Sequence, residues 1–180
     1  MKRLYLLRHG QTEFNVKKLV QGRCDSPLTD LGRQQARAAA AWLKAHGVAP
    51  DKVVSSPLGR AMDTAQLVAC ELIGPDAAVE PCKGIIERCY GTFEEGPHDA
   101  LPTDIWDPGE DLVPFGGEGS RALQERMVDT LTNQHGRRGH RNPPGSKPRQ
   151  RQPPIHQGCS PRGLRATSKT PQLRHHDLRF

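Results

Sequence analysis

The short apolar, β-prone run Leu4-Tyr5-Leu6-Leu7 stops abruptly at Arg8-His9-Gly10, and this junction constrains the fold more than any other part of the chain. It reads as a buried strand that delivers a charged pair to its C-terminal end. In open α/β sheets that edge is where ligands bind. A histidine there is a candidate nucleophile, because neutral imidazole is abundant near pH 7 and carries a phosphoryl group covalently. Arg8 beside His9 offers a planar fork of donors for phosphate oxygens. Gly10 allows close approach of the backbone to an anion, and Asn15 adds a side-chain donor.

The next segments alternate between helix and strand patterns. Residues 10–28 read as a polar loop containing Gln21-Gly22-Arg23-Cys24-Asp25-Ser26-Pro27-Leu28. Thr29 is an N-cap candidate for a helix over Leu31–His46 that Gly47 closes, with Leu31, Gln35, Ala38, Ala39 and Trp42 on the face turned to a sheet. Lys52-Val53-Val54-Ser55-Ser56 reads as a short buried strand. Pro57, with Ser56 before it, starts a helix that Gly74-Pro75 ends. Arg60 lies in that helix's first turn, where the dipole and the guanidinium both favour an anion. Residues Val79–Cys82 form a further strand candidate. Ile85-Ile86 then places Glu87 at a strand end, where partial burial would raise its pKa toward the range of a general acid. Glu94 and Glu95 read as a solvated turn. Residues 97–117, rich in Pro, Gly and Asp, read as a loop over the site. From Gly117-Glu118-Gly119-Ser120 an amphipathic helix opens, with Leu123, Arg126, Met127, Thr130 and Leu131 on one face.

Three motifs together resemble those of the histidine phosphatase superfamily, which includes cofactor-dependent phosphoglycerate mutases and many phosphomonoesterases. They are Leu7-Arg8-His9-Gly10-Gln11-Thr12-Glu13-x-Asn15, Gln21-Gly22-x-x-Asp25-x-Pro27-Leu28-Thr29-x-x-Gly32-x-x-Gln35-Ala36, and Ser55-Ser56-Pro57-Leu58-x-Arg60-Ala61-x-x-Thr64-Ala65. Glu87-Arg88-Cys89-Tyr90-Gly91 adds a fourth match. The resemblance implies an α/β three-layer sandwich with a mostly parallel sheet, incomplete at the C-terminus. It implies His9 as nucleophile and Glu87 as the acid and base. Arg8, Asn15, Gln21, Gly22 and Arg60 would hold the substrate, a small-molecule phosphomonoester. No metal or other cofactor is required, because arginines and imidazoles supply the positive charge. Within the family, Asp25-x-Pro27-Leu28-Thr29 and the short segment after Gly96 resemble phosphatase-type members. Glu87-Arg88-x-Tyr90-Gly91 is similar to phosphoglycerate mutases, which is the alternative reading.

The resemblance covers roughly residues 3–132, and charge divides the chain near the same point. Residues 1–134 carry 15 Lys+Arg and 19 Asp+Glu, whereas residues 135–180 carry 11 and one. The chain therefore reads as a domain over 1–134 and a basic, Pro/Arg-rich tail over 135–180 expected to be disordered or out of frame. The family's next element is an apolar strand ending in Ser-His-Gly, whose His joins the phosphate pocket. His135-Gly136 lacks the preceding strand. Read one nucleotide forward, codons for Lys147-Pro148-Arg149 can encode Ser-His-Gly (AAG CCA CGG becoming AGC CAC GGC), which points to a frameshift near Thr132–Gln134. Weak or absent activity is then expected, together with an open edge on the N-terminal strand. A genuine basic tail would instead favour a non-catalytic phosphoryl-ligand or nucleic-acid-binding protein; nucleic acid is otherwise not an expected partner. Five cysteines without a Cys-x-x-Cys pair, and no run of membrane-spanning length, fit a cytoplasmic protein. The oligomeric state is not legible.

Overall fold

The computed structural model describes residues 3–136. Its regular elements are α1 (Glu13–Lys17), α2 (Asp30–Ala45), β1 (Val53–Ser55), α3 (Gly59–Leu72), β2 (Val79–Pro81) and α4 (Ser120–Gly136), with single 3-10 turns at Lys83–Ile85, Gly91–Phe93, His98–Ala100 and Val113–Phe115. The expected tail lies outside the described residues, apart from His135-Gly136, whose backbone ends α4.

The architecture is α/β. β1 and β2 pair in parallel, Val53 opposite Val79 and Ser55 opposite Pro81, with α3 as the crossover between them. This is the βαβ arrangement that alternating short apolar runs and helical patterns predict. α2 begins as expected, with the Thr29 hydroxyl accepting from the Gly32 amide at 3.0 Å, and Gly47 follows its end at φ +68°.

The face that α2 buries differs from the expected one. Leu31 and Trp42 are about half exposed, and Gly32, Ala36 and Ala40 are buried instead. Small side chains at i, i+4 and i+8 let α2 lie close against α3, which buries Thr64, Val68 and Ala69. The same stripe receives the loop after residue 8. A Cβ on Gly10 would run into the Gly32 carbonyl, and a Cβ on Gly32 would run into the Gln11 carbonyl. The backbone around His9 therefore rests directly on the first turn of α2.

Three other expectations are corrected. Residues 3–7 form no strand, and Leu4, Tyr5, Leu6 and Leu7 are 47 to 70% exposed. A strand is stabilised by the neighbour that takes its amides and carbonyls, and among the described residues none does so here. Likewise Lys83–Ile85 is a 3-10 turn, so Glu87 follows no strand. The supposed loop over 10–28 contains α1, closed by a capping box between Thr12 and Asn15.

The face predicted for α4 is the one that packs, with Leu123, Arg126, Met127, Thr130 and Leu131 all partly buried. Arg126 holds the carboxylate of Glu118 with two bonds of 2.9 and 2.7 Å and donates to the carbonyls of Gly84 and Ile86, both at 2.9 Å. Arg88, itself buried, donates to the Glu118 carbonyl at 2.9 Å and to the Ser120 hydroxyl at 3.2 Å. Burial works against the charge on Glu118, but Arg126 and Arg23 outweigh it and hold its pKa below the usual carboxylate value.

The exposure of Leu6 has a direct consequence. Leu6→Lys is expected to leave stability within about 0.5 kcal/mol and to reduce self-association. Thermal melts and size-exclusion chromatography measure both, and a loss of several degrees in Tm would mean that Leu6 is buried.

Candidate active site

His9 is half-buried and held from both sides of its ring. Nδ1 lies 2.7 Å from the Gly10 carbonyl, an oxygen that only accepts, so Nδ1 carries the proton. Nε2 then bears the lone pair, and it accepts from Arg60 Nε at 3.3 Å. Burial lowers the His9 pKa below the usual imidazole value. The Arg60 and Arg8 charges act in the same direction, against the Gly10 bond and the Glu87 carboxylate. The result is a neutral imidazole near pH 7 with its unprotonated nitrogen turned to a guanidinium.

Arg60 does lie in the first turn of α3, but 2% exposed rather than open to solvent. Its NH1 donates to the Cys24 carbonyl at 2.9 Å and to Asp25 Oδ1 at 3.1 Å, and its NH2 donates to the Gly22 carbonyl at 2.7 Å. Asp25 also takes the position at the helix start that the sequence reserved for Ser56 and for a bound anion. Its carboxylate accepts from the backbone amides of Gly59 and Arg60, while the N-cap Leu58 makes no side-chain cap. Burial opposes the Asp25 charge, but the Arg60 guanidinium and the amides of Gly59, Arg60 and Ser26 prevail and lower its pKa. One turn on, the Thr64 hydroxyl donates to the Arg60 carbonyl at 2.7 Å and accepts from the Gly10 amide at 3.2 Å. The start of α3 thus holds both the arginine and the histidine loop.

The remaining expected site residues divide by environment. Arg8 is exposed, with its guanidinium 5.0 Å from the centre of the Trp106 ring. Asn15 Oδ1 is used locally, accepting from the Thr12 amide at 3.0 Å, which leaves the amide end of the side chain as donor. Gln21 is buried. Its Oε1 accepts from the Thr12 hydroxyl at 2.9 Å, while Nε2 is a buried donor without a protein partner. Such an orphan costs about 1–3 kcal/mol unless a ligand or water meets it. Gly22, at φ +40°, has no room for a side chain, since a Cβ would strike the Glu94 carboxylate. Glu87 is exposed, so the partial burial expected for it is not seen; its charge is nonetheless felt at both His9 and Tyr90.

Glu94 is the residue that sequence reasoning misjudged most. Far from a solvated turn, its carboxylate accepts from the amides of Arg23, Cys24 and Tyr90 at 2.9, 2.6 and 3.0 Å. It clamps the wall of the site to the segment after Glu87. A Glu-Glu pair after Phe93 gives no sign of which carboxylate turns inward. Among the described residues no group of three or more His, Cys, Asp or Glu gathers as a metal site would, and no helix is long and apolar enough to cross a membrane.

Comparison with known proteins places this geometry. Over 136 residues the chain is 37% identical to a 2,3-bisphosphoglycerate-dependent phosphoglycerate mutase of Methylobacterium sp., covering 71% of this chain and 65% of that protein. Over 92 residues it is 39% identical to a broad-specificity phosphatase of Saccharomyces cerevisiae, covering 51% and 40%. The solved structure of a mycobacterial glucosyl-3-phosphoglycerate phosphatase superposes with a TM-score of 0.59 at 31% identity, covering 69% of this chain and 63% of that one. An alpha-ribazole phosphatase of Shigella flexneri gives 0.59 at 29% identity, covering 72% and 66%. The chain thus spans about two thirds or less of the length of each. Residues 4–142 match the sequence profile of the histidine phosphatase superfamily, branch 1, and the chain belongs to that superfamily with its phosphoglycerate mutase-like α/β fold.

Proposed function

We propose that this centre hydrolyses small-molecule phosphomonoesters through a phosphohistidine on His9, and that it does so in the cytoplasm. One observation carries the reading. The His9 Nδ1 proton is committed to the Gly10 carbonyl while Nε2, half-buried and unprotonated, faces a buried guanidinium. In the first step the Arg60 Nε–H turns from Nε2 to a phosphoryl oxygen, the freed Nε2 lone pair attacks phosphorus, an N–P bond forms, and the ester P–O bond breaks. The departing alkoxide takes the proton of Glu87. In the second step Glu87 removes a proton from water, whose oxygen displaces His9 and releases phosphate.

The charge on the transferring group would be met by Arg8, Arg60 and the amide of Asn15. Arg60 gives four N–H bonds to His9, Cys24, Asp25 and Gly22, so its contribution is the Nε donor beside the attacked phosphorus and its remaining NH2 proton. The orphaned Nε2 of Gln21 supports a further donor in the wall. The resemblance also implies a second imidazole. Among the described residues, His46 and His98 are tied to the carbonyls of Trp42 and Leu19, and neither joins His9. Slow turnover by the chain as it stands is therefore expected.

His9→Asn should remove an acid-labile, alkali-stable phosphoryl-protein and lower turnover by about 10³-fold or more. Retained labelling with radioactive phosphomonoester would exclude His9 as the nucleophile. Glu87→Gln should slow alkyl phosphates by about 10²–10⁴-fold and p-nitrophenyl phosphate much less, because nitrophenolate leaves without a proton. Release of inorganic phosphate, rather than its transfer between glycerate hydroxyls, distinguishes this reaction from the mutase alternative.

The pH dependence follows from His9. Its conjugate acid cannot attack, and its pKa lies below the usual 6.5, so the acid limb of kcat/KM should fall below pH 6.5. Arg8→Met removes one of the charges that lower this pKa and should move the limb upward. A histidine NMR titration reads the same shift in a chain that turns over slowly.

A further inference from the structure

We propose that the exposed face of the Trp106 indole is the leaving-group subsite of this centre and selects phosphomonoesters of uncharged alcohols that carry a flat ring. The proposal rests on the phosphatase reading and names its substrate class. Trp106 is 73% exposed although it is one of only two tryptophans in the chain. A large apolar ring left in water beside a reaction centre is more informative than one buried in a core. The Arg8 guanidinium carbon lies over this ring at 5.0 Å, and Arg8 makes no hydrogen bond or ion pair with the described residues. The guanidinium donors point out along the edges of its plane, so the indole can hold the flat side while the edges remain for phosphoryl oxygens.

The backbone that carries the ring is anchored on both sides in sequence. Before it, the Tyr90 hydroxyl donates to the Ile105 carbonyl at 2.9 Å, and the Trp106 amide donates to Asp104 Oδ1 at 2.8 Å. After it, Pro108 and Leu112 are fully buried. Tyr90, whose hydroxyl fixes Ile105, stands three residues after Glu87 in the chain. Trp106 therefore stands next to the arginine that would hold the phosphoryl group. A leaving group projecting past Arg8 meets the indole. Residues 104–111 carry Asp104, Asp107, Glu110 and Asp111 and no basic residue. A carboxylate or second phosphate on the leaving group would be repelled there, whereas an uncharged ring would stack.

The test uses the full chain carrying Trp42→Phe, a change on α2 at a residue stacked on His46, so that Trp106 is the sole tryptophan. Phenylphosphonate and methylphosphonate share one anionic head and differ in the ring. Phenylphosphonate should bind about three- to tenfold more tightly and change Trp106 fluorescence. By calorimetry, Trp106→Ala should bring the two affinities together, and Trp106→Phe should restore most of the difference. Trp106→Ala should raise KM for phenyl phosphate more than it raises KM for glycerol phosphate. Equal affinities in the parent chain, no binding of either phosphonate, or a difference that survives Trp106→Ala would each overturn the subsite. Absence of hydrolysis of both phenyl phosphate and glycerol phosphate would overturn the phosphatase reading alone, because the phosphonate ratio decides the subsite without turnover.

Discussion

A guanidinium buried at the start of a helix organises the described part of this protein. Arg60 reaches the Gly22 and Cys24 carbonyls, the Asp25 carboxylate and His9 Nε2, and so joins three stretches of chain. Taking such a charge out of water is unfavourable by several kcal/mol unless acceptors surround it. Here they do, and Asp25 adds the backbone amides at the head of α3 to the same arrangement. The helix start, the wall at residues 21–25 and the orientation of the imidazole are consequences of satisfying one side chain.

A second arginine repeats the device on the opposite flank of the sequence. Arg126 on α4 binds Glu118 with two bonds and takes the carbonyls of Gly84 and Ile86. In both places the apolar core is thin, and polar groups with fixed geometry position the elements. Glu94 does the same for backbone amides from two loops. Hydrogen-bond direction, more than buried area, decides where the site residues stand.

Elements whose causes are local were legible in the sequence. Thr29 capping α2, the parallel pair β1 and β2 around α3, and the partly buried face of α4 all follow from caps, breakers and periodicity within a few residues. Elements whose causes lie elsewhere in the chain were not. Leu4–Leu7 is apolar and β-prone, yet a strand exists only with a neighbour to pair with. Asp25 caps a helix that starts 34 residues later, and no spacing rule connects the two. On α2 the bulky residues marked one face, while close approach of α3 and the Gly10 loop required the small ones. His9, Gln21-Gly22 and Arg60 were each marked by a separate short motif, and the Arg60 guanidinium joins His9 to the Gly22 carbonyl. The burial of Glu87 was not, since it depended on a strand that does not form.

The mutual contact of Gly10 and Gly32 separates what this site can change from what it cannot. Neither position tolerates even a methyl group, because each would press on the other segment's backbone. The depth of His9 is thus set by main chain against main chain and is indifferent to the identity of nearby side chains. Among the described residues, the acidic segment bearing Trp106 meets the centre through the Tyr90 hydroxyl on the Ile105 carbonyl and through the Trp106 ring beside Arg8. Drift in that segment can change what stands beside Arg8 while His9 keeps its position, so the two parts of the candidate site are free to diverge at different rates.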